Sequence, residues 1–124
     1  MTFGDAGPET DTSSSKAEDI ARLLPGARVV KAFNTVFAGH QVDPIAEGIT
    51  LDAFVAGDDP AARAAVVELA ASIGRDPIDA GPLVRARQLE GLAFLNIYLD
   101  VVNSGPWQSG WKLVAAPTST PVAA

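Results

Sequence analysis

The sequence of 124 residues contains no cysteine and a single histidine, His40. Disulfide scaffolds and Cys/His zinc sites are therefore excluded. A Ser-His-Asp triad would have to use His40, and no nucleophile elbow surrounds it. Basic residues are also scarce: nine Lys and Arg face fifteen Asp and Glu, a net charge of −6. Nucleic-acid phosphates are gripped by clustered Lys and Arg, and no such cluster occurs, so a nucleic-acid partner is not expected. Long apolar runs are missing too. The longest apolar-rich stretch, Leu89 to Val102, is interrupted by Glu90, Asn96 and Asp100 and is too short and too polar to span a bilayer. The N-terminus has neither the basic nor the apolar region of a signal peptide. A soluble cytoplasmic protein with no membrane partner is the expectation. Neither Gly-x-Gly-x-x-Gly nor Gly-x-x-x-x-Gly-Lys-Ser/Thr occurs, and no metal-ligand spacing is seen. The chain has no phosphate cradle of its own, and no residue is marked out as catalytic.

What remains reads as one small domain, with 48% hydrophobic residues to build its core. Residues 1–15 read as a flexible leader, rich in Gly, Thr and Ser. Ser14 or Ser15 as N-cap, with Glu18 at the capping-box spacing from Ser15, predicts a helix from about Lys16 to Leu24, ended by Pro25-Gly26. Arg28 to Asn34 and Leu51 to Ala56 read as strands, with a connection between them that has room for a short helix. Asp59-Pro60 opens a helix running to Ile73. A third strand, Asp76 to Asp79, ends at Ala80-Gly81-Pro82. A long helix from about Val84 to Val102 carries Leu92, Leu95, Leu99 and Val102 on one stripe and Phe94, Tyr98 and Val101 on another. An apolar surface this broad predicts burial on several sides, and in so small a protein a partner chain. Alternating strands and helices imply an α/β fold with about three parallel strands and right-handed crossovers. Residues 16–103 form that domain and 104–124 a mostly irregular tail, disordered after Pro117.

Ligands of open parallel sheets sit beyond the carboxyl ends of the strands. Those ends carry Asn34-Thr35, Gly57-Asp58-Asp59 and Asp79-Ala80-Gly81-Pro82, which are expected along one edge. Each group also has a structural reading. Asp58 and Asp59 read first as a helix cap, Asp79 as a turn former, and Asn34 and Thr35 as strand-end hydrogen-bonding residues. His40 reads as a solvated surface residue. Arg85 and Arg87 suit either an anion or a solvated helix face, and Trp107 and Trp111 read as cover for an apolar patch.

Three segments in order and spacing resemble one family. Leu23-Leu24-Pro25-Gly26-Ala27-Arg28-Val29-Val30-Lys31-Ala32-Phe33-Asn34-Thr35-Val36 is similar to part of the NADPH-dependent reductases of the deazaflavin coenzyme F-420, and of the related reductase domain of six-transmembrane metalloreductases. Phe54-Val55-Ala56-Gly57-Asp58-Asp59 is similar to the family's next strand and turn. Asp79-Ala80-Gly81-Pro82-Leu83, with Ala86-Arg87 and Leu89-Glu90, is similar to the lead into its last helix. The resemblance covers about residues 14–100 and implies a truncated Rossmann-like three-layer unit lacking the dinucleotide-binding first half. It implies hydride transfer between NADP and a deazaflavin (F-420) or flavin. Asn34, Thr35 and Val36 would line the rings, and Gly81, Pro82 and Leu83 would border the same cleft. Hydride transfer needs two rings held face to face, so the resemblance implies a homodimer or a partner with a dinucleotide-binding half. Two alternatives stand beside it: a repurposed cleft that binds or isomerises another small molecule, and an inactive remnant.

Overall fold

The computed structural model describes residues 2–4, 7–9 and 12–117. Strands β1 (Thr2–Gly4) and β2 (Gly7–Glu9) pair antiparallel, with Phe3 opposite Pro8; both lie within the segment read as leader. Helix α1 spans Lys16–Leu23. Its N-cap is Ser15, whose hydroxyl accepts from the Glu18 amide at 3.1 Å and donates to Glu18 Oε2 at 2.8 Å. One orphan amide of the first turn is thereby satisfied. The expected strand around residues 28–34 is reduced to β3, Val30–Lys31. Helix α2 (Ala38–Val42) and a small hairpin of β4 (Ile45–Ala46) and β5 (Ile49–Thr50) fill the connection. Then come β6 (Asp52–Gly57), α3 (Pro60–Ser72), β7 (Asp76–Gly81), a turn of 3-10 helix (Leu83–Arg85) and α4 (Ala86–Asn103). Asp59 caps α3, its carboxylate accepting from the Ala62 amide at 2.8 Å, and Pro60 stands at the first helical position where a missing N–H costs nothing. Residues 104–117 form no helix or strand. The disorder expected after Pro117 concerns residues outside those described.

The main sheet has the order β3-β6-β7. It is α/β but mixed, which corrects the expectation of three parallel strands: β6 and β7 are parallel, whereas β3 runs antiparallel to β6, with Val30 opposite Gly57. The reason lies in the connection. A parallel pair needs a crossover of a dozen or more residues, usually a full helix, to carry the chain back to its starting edge. The connection between β3 and β6 is long enough for a crossover, but it is spent on the five-residue α2 and a hairpin of two-residue strands, with no helix long enough to cross the sheet face, and the chain returns antiparallel. Between β6 and β7 the thirteen residues of α3 make the crossover.

β6 is the centre of the core. Ala53, Val55 and Ala56 are buried, and so is Asp52 at its start. A second cluster joins Ala17 of α1 to Leu83 and Ala86 at the entry of α4, with Ala21 and Val29 packed against it. Charge ties the same elements together. Arg87 of α4 grips the Glu18 carboxylate through two bonds of 2.9 and 3.0 Å, and Glu90 accepts from the Lys16 amide. The Arg87 bond holds the Glu18 carboxyl below the usual glutamate range. The irregular tail is strapped onto the start of β6. The Asp52 amide donates to the Trp111 carbonyl, its carboxylate accepts from Lys112 Nζ at 2.7 Å and from the Leu113 amide at 2.6 Å, and Lys112 also pairs with Asp76. Asp52, then Asp76, push the Lys112 ammonium above the ordinary lysine range.

Helix α4 is turned inside out in its second half. Asn96 and Asp100 are buried, whereas Leu95, Tyr98, Leu99, Val101 and Val102 are exposed. Its inward stripe is polar, and its outward face is apolar and uncharged. Among the described residues, no helix is long and apolar enough to cross a membrane.

Candidate functional site

Parallel pairing of β6 and β7 puts their carboxyl ends on one edge, with Gly81 opposite Ala56 across a bulge. The Asp58 carboxylate joins the two turns, accepting from the Leu83 amide at 2.9 Å. Asp79 accepts from the Gly81 amide at 2.8 Å and pairs with Arg63 at 2.9 Å. Arg63 in turn donates to the Gly57 carbonyl at 2.6 Å. Gly81 has φ +86°, with open space where a Cβ would stand, so glycine is needed there for conformation rather than for room. Pro82 is exposed and Leu83 buried. This edge is therefore built and braced, and its carboxylates are spent on backbone amides.

Asn34, Thr35 and Val36 lie elsewhere, which corrects the expectation that all three strand ends share an edge. Because β3 is antiparallel, its chain runs from Val30, beside Gly57, toward the opposite edge. Phe33 then adopts φ +61°, a left-handed conformation that is an outlier for a bulky side chain. Gln41 holds it there by donating to the Phe33 carbonyl at 2.6 Å. Asn34 Nδ2 donates to the Leu89 carbonyl at 2.8 Å, and its Oδ1 is buried without a partner. Thr35 is buried and Val36 half-buried. Helix α4 links the two groups: Leu83 leads into its first turn, and Asn34 is tied to Leu89 one turn later.

The residues that sequence reading missed are polar and buried. His40, expected on the surface, is buried between Asp43 and Gln108; a lone histidine in a polar connection carries no signal that a later segment will cover it. Ser109 donates to Asn96 and contacts Asp100, at 2.6 and 3.0 Å. The spacing of Asn96 and Asp100, four apart inside an apolar helix, was visible in the sequence and marks one face. Beside them is a cavity of about 320 Å³ lined by Asn96, Leu99, Asp100, Ser109, Gly110 and Trp111. It contains none of Asn34, Thr35, Val36, Gly81, Pro82 or Leu83.

Among the described residues, the edge at the carboxyl ends of β6 and β7 does not form a cradle for a dinucleotide's phosphates. Those phosphates need a cradle of free backbone amides or uncommitted cations. The built edge instead carries Asp58, Asp59 and Asp79, and its one bracing cation, Arg63, is engaged by Asp79 and Gly57. Among the described residues, Asn34 Oδ1 is a buried acceptor without a hydrogen-bond partner.

No family model matches the chain. By sequence it is similar to the metalloreductase STEAP3 of Rattus norvegicus, 36% identical over 78 residues, which is 63% of this chain and 16% of that protein. It is also similar to the metalloreductase STEAP2 of Homo sapiens, 37% identical over 79 residues, with the same shares. By structure it is similar to a protein of Arthrobacter sp. FB24 provisionally named an F420-dependent NADP-reductase. That match has a TM-score of 0.74 and 38% identity, and covers 84% of this chain and 47% of the other. The hypothetical protein SMa0349 of Sinorhizobium meliloti matches with a TM-score of 0.54 and 33% identity, over 90% of this chain and 47% of that one. The chain thus spans about half the length of these solved relatives and a sixth of the curated ones.

Proposed function

As a homologue of one part of the F420-dependent NADP-reductases and STEAP metalloreductases, this chain, we propose, is one wall of a hydride-transfer cleft that works with a dinucleotide-binding half. The observation that carries this reading is the 38% identity to the Arthrobacter protein, sustained over 84% of the chain with a common fold. The cofactors on this reading are NADP and a deazaflavin (F-420) or flavin. The partner half supplies the phosphate cradle that the acidic edge here lacks. Asn34, with Thr35 and Val36, faces the rings, and the free Oδ1 accepts from an amide or imide N–H of one of them. Gly81, Pro82 and Leu83 set the entry of α4 and so the position of the carbonyl that holds Asn34. The exposed apolar face of α4 supports assembly with a partner, in a homodimer or with the dinucleotide-binding half. Residues 16–103 are the working domain, with 1–15 as leader and 104–124 as tail.

The test is reconstitution. The chain is mixed with the remaining half of the Arthrobacter protein, and NADPH oxidation is followed with F-420 as acceptor. Turnover by the mixture and by neither part alone is expected. A mixture in which the two parts associate without turnover overturns the reading.

A further inference from the structure

His40 is buried, and each of its ring nitrogens faces a carbonyl oxygen: Nδ1 lies 2.9 Å from that of Asp43 and Nε2 lies 2.6 Å from that of Gln108. Carbonyl oxygens only accept. A neutral imidazole has one N–H, so it serves one carbonyl and turns a lone pair on the other; the imidazolium has two N–H groups and serves both. We propose that His40 is a proton-dependent clasp that holds the strap of residues 104–113 against the body of the protein. The Asp43 contact lies three residues away on the same turn. The Gln108 contact spans 68 positions. A neutral ring keeps only one of the two contacts, and the Gln108 contact is the one that reaches the strap.

The strap is built to respond. Ser104 and Trp107 have φ of 50° and 60°, conformations that non-glycine residues keep only when their surroundings hold them. Trp107 packs edge-on against Phe37, which precedes the helix bearing His40, with ring centroids 5.2 Å apart. The groups around the ring come from every neighbouring segment. Arg75, after α3, donates to the carbonyls of His40 and Gln41. The Asp43 carboxylate accepts from the Ile45 amide. The Asp100 carboxylate binds the Trp107 amide and the Ser109 hydroxyl, on either side of Gln108. Lys112, further along the strap, is committed to Asp52 and Asp76. The strap also forms one wall of the cavity beside α4, so its release widens that cavity. This inference rests on no cofactor and stands apart from the reductase reading.

The experiment is nitrogen-15 NMR of the whole chain. The number of protonated ring nitrogens of His40 is followed across a pH series over which the chain stays folded. The Trp107 indole signal and the Gln108 and Ser109 amide signals move on the same curve, and their exchange, corrected for pH, quickens about ten-fold, as expected from losing one hydrogen bond. In H40Q these strap signals no longer follow that curve. A His40 ring bearing a single proton at every pH where the chain is folded overturns the proposal. So do strap signals indifferent to the loss of its proton. Both readouts are taken on the unmodified chain, so a variant that fails to fold leaves the test intact.

Discussion

Asn34 and Asp52 show how differently two polar residues can be used. Asn34 makes one hydrogen bond to a carbonyl that already belongs to a helix, and its other atom is idle. Asn34→Ala should therefore cost only about 1 kcal/mol in chemical denaturation, while the reconstituted reductase loses affinity for its ring-bearing ligands. If it loses only stability, Asn34 is a structural residue. Asp52 is almost wholly buried at the head of the central strand and anchors both Lys112 and the Leu113 amide. Asp52→Ala strands the strap and removes two charge-assisted bonds. It should cost about 3 kcal/mol, read as a shift in denaturation midpoint with the slope preserved.

At the scale of elements, most of what was legible in the sequence was local. The Ser15–Glu18 spacing, Asp59-Pro60 and Pro25-Gly26 mark helix ends because capping depends on residues three or four apart. Strand direction is not local. Nothing in Arg28 to Asn34 says which way it runs beside β6. That follows from the weakness of the intervening helix, and it moves Asn34 to Val36 away from Gly81 to Leu83. The His40–Gln108 contact and the ties of the tail to Asp52 join residues more than 50 positions apart, which no window of sequence contains. Two element-scale expectations follow. Gly110 crosses Leu51 so closely that a Cβ would stand 2.3 Å from Leu51 Cδ1. Gly110→Ala should lift the strap and cost about 1–3 kcal/mol by overpacking, measured by thermal unfolding. The Glu18–Arg87 tie joins α1 to α4, and its folded-state carboxyl titrates below the ordinary value. Its contribution is complete above the unfolded glutamate range and is lost as pH falls through the lowered folded value. Unfolding measured from neutral pH into acid should show this loss, and Glu18→Gln should flatten that part of the curve.

For the whole molecule, the proposed assembly rests on surfaces left exposed among the described residues. The edge that a nucleotide would approach is acidic and self-satisfied, α4 turns its apolar face outward, and β3 leaves one side of the main sheet unpaired within the described residues. Such a chain is stable enough to fold around β6 yet presents surfaces that ask to be covered. Replacing Leu95 and Leu99 together with Lys should abolish association, seen as a drop to monomer mass by light scattering, with helix content kept. A chain that is already a monomer before substitution, alone and with the dinucleotide-binding half, would remove the reason for a partner. On the proposed function, the nucleotide is held by the dinucleotide-binding half and only faced by this chain. Calorimetric titration of NADPH tests it most directly, into this chain alone and into its mixture with the dinucleotide-binding half, with mass measured on the same samples. No micromolar binding is expected from the chain alone, and micromolar binding from the mixture, weakened by Asn34→Ala. Micromolar binding by the chain alone, or an Asn34→Ala mixture that binds unchanged, would contradict it.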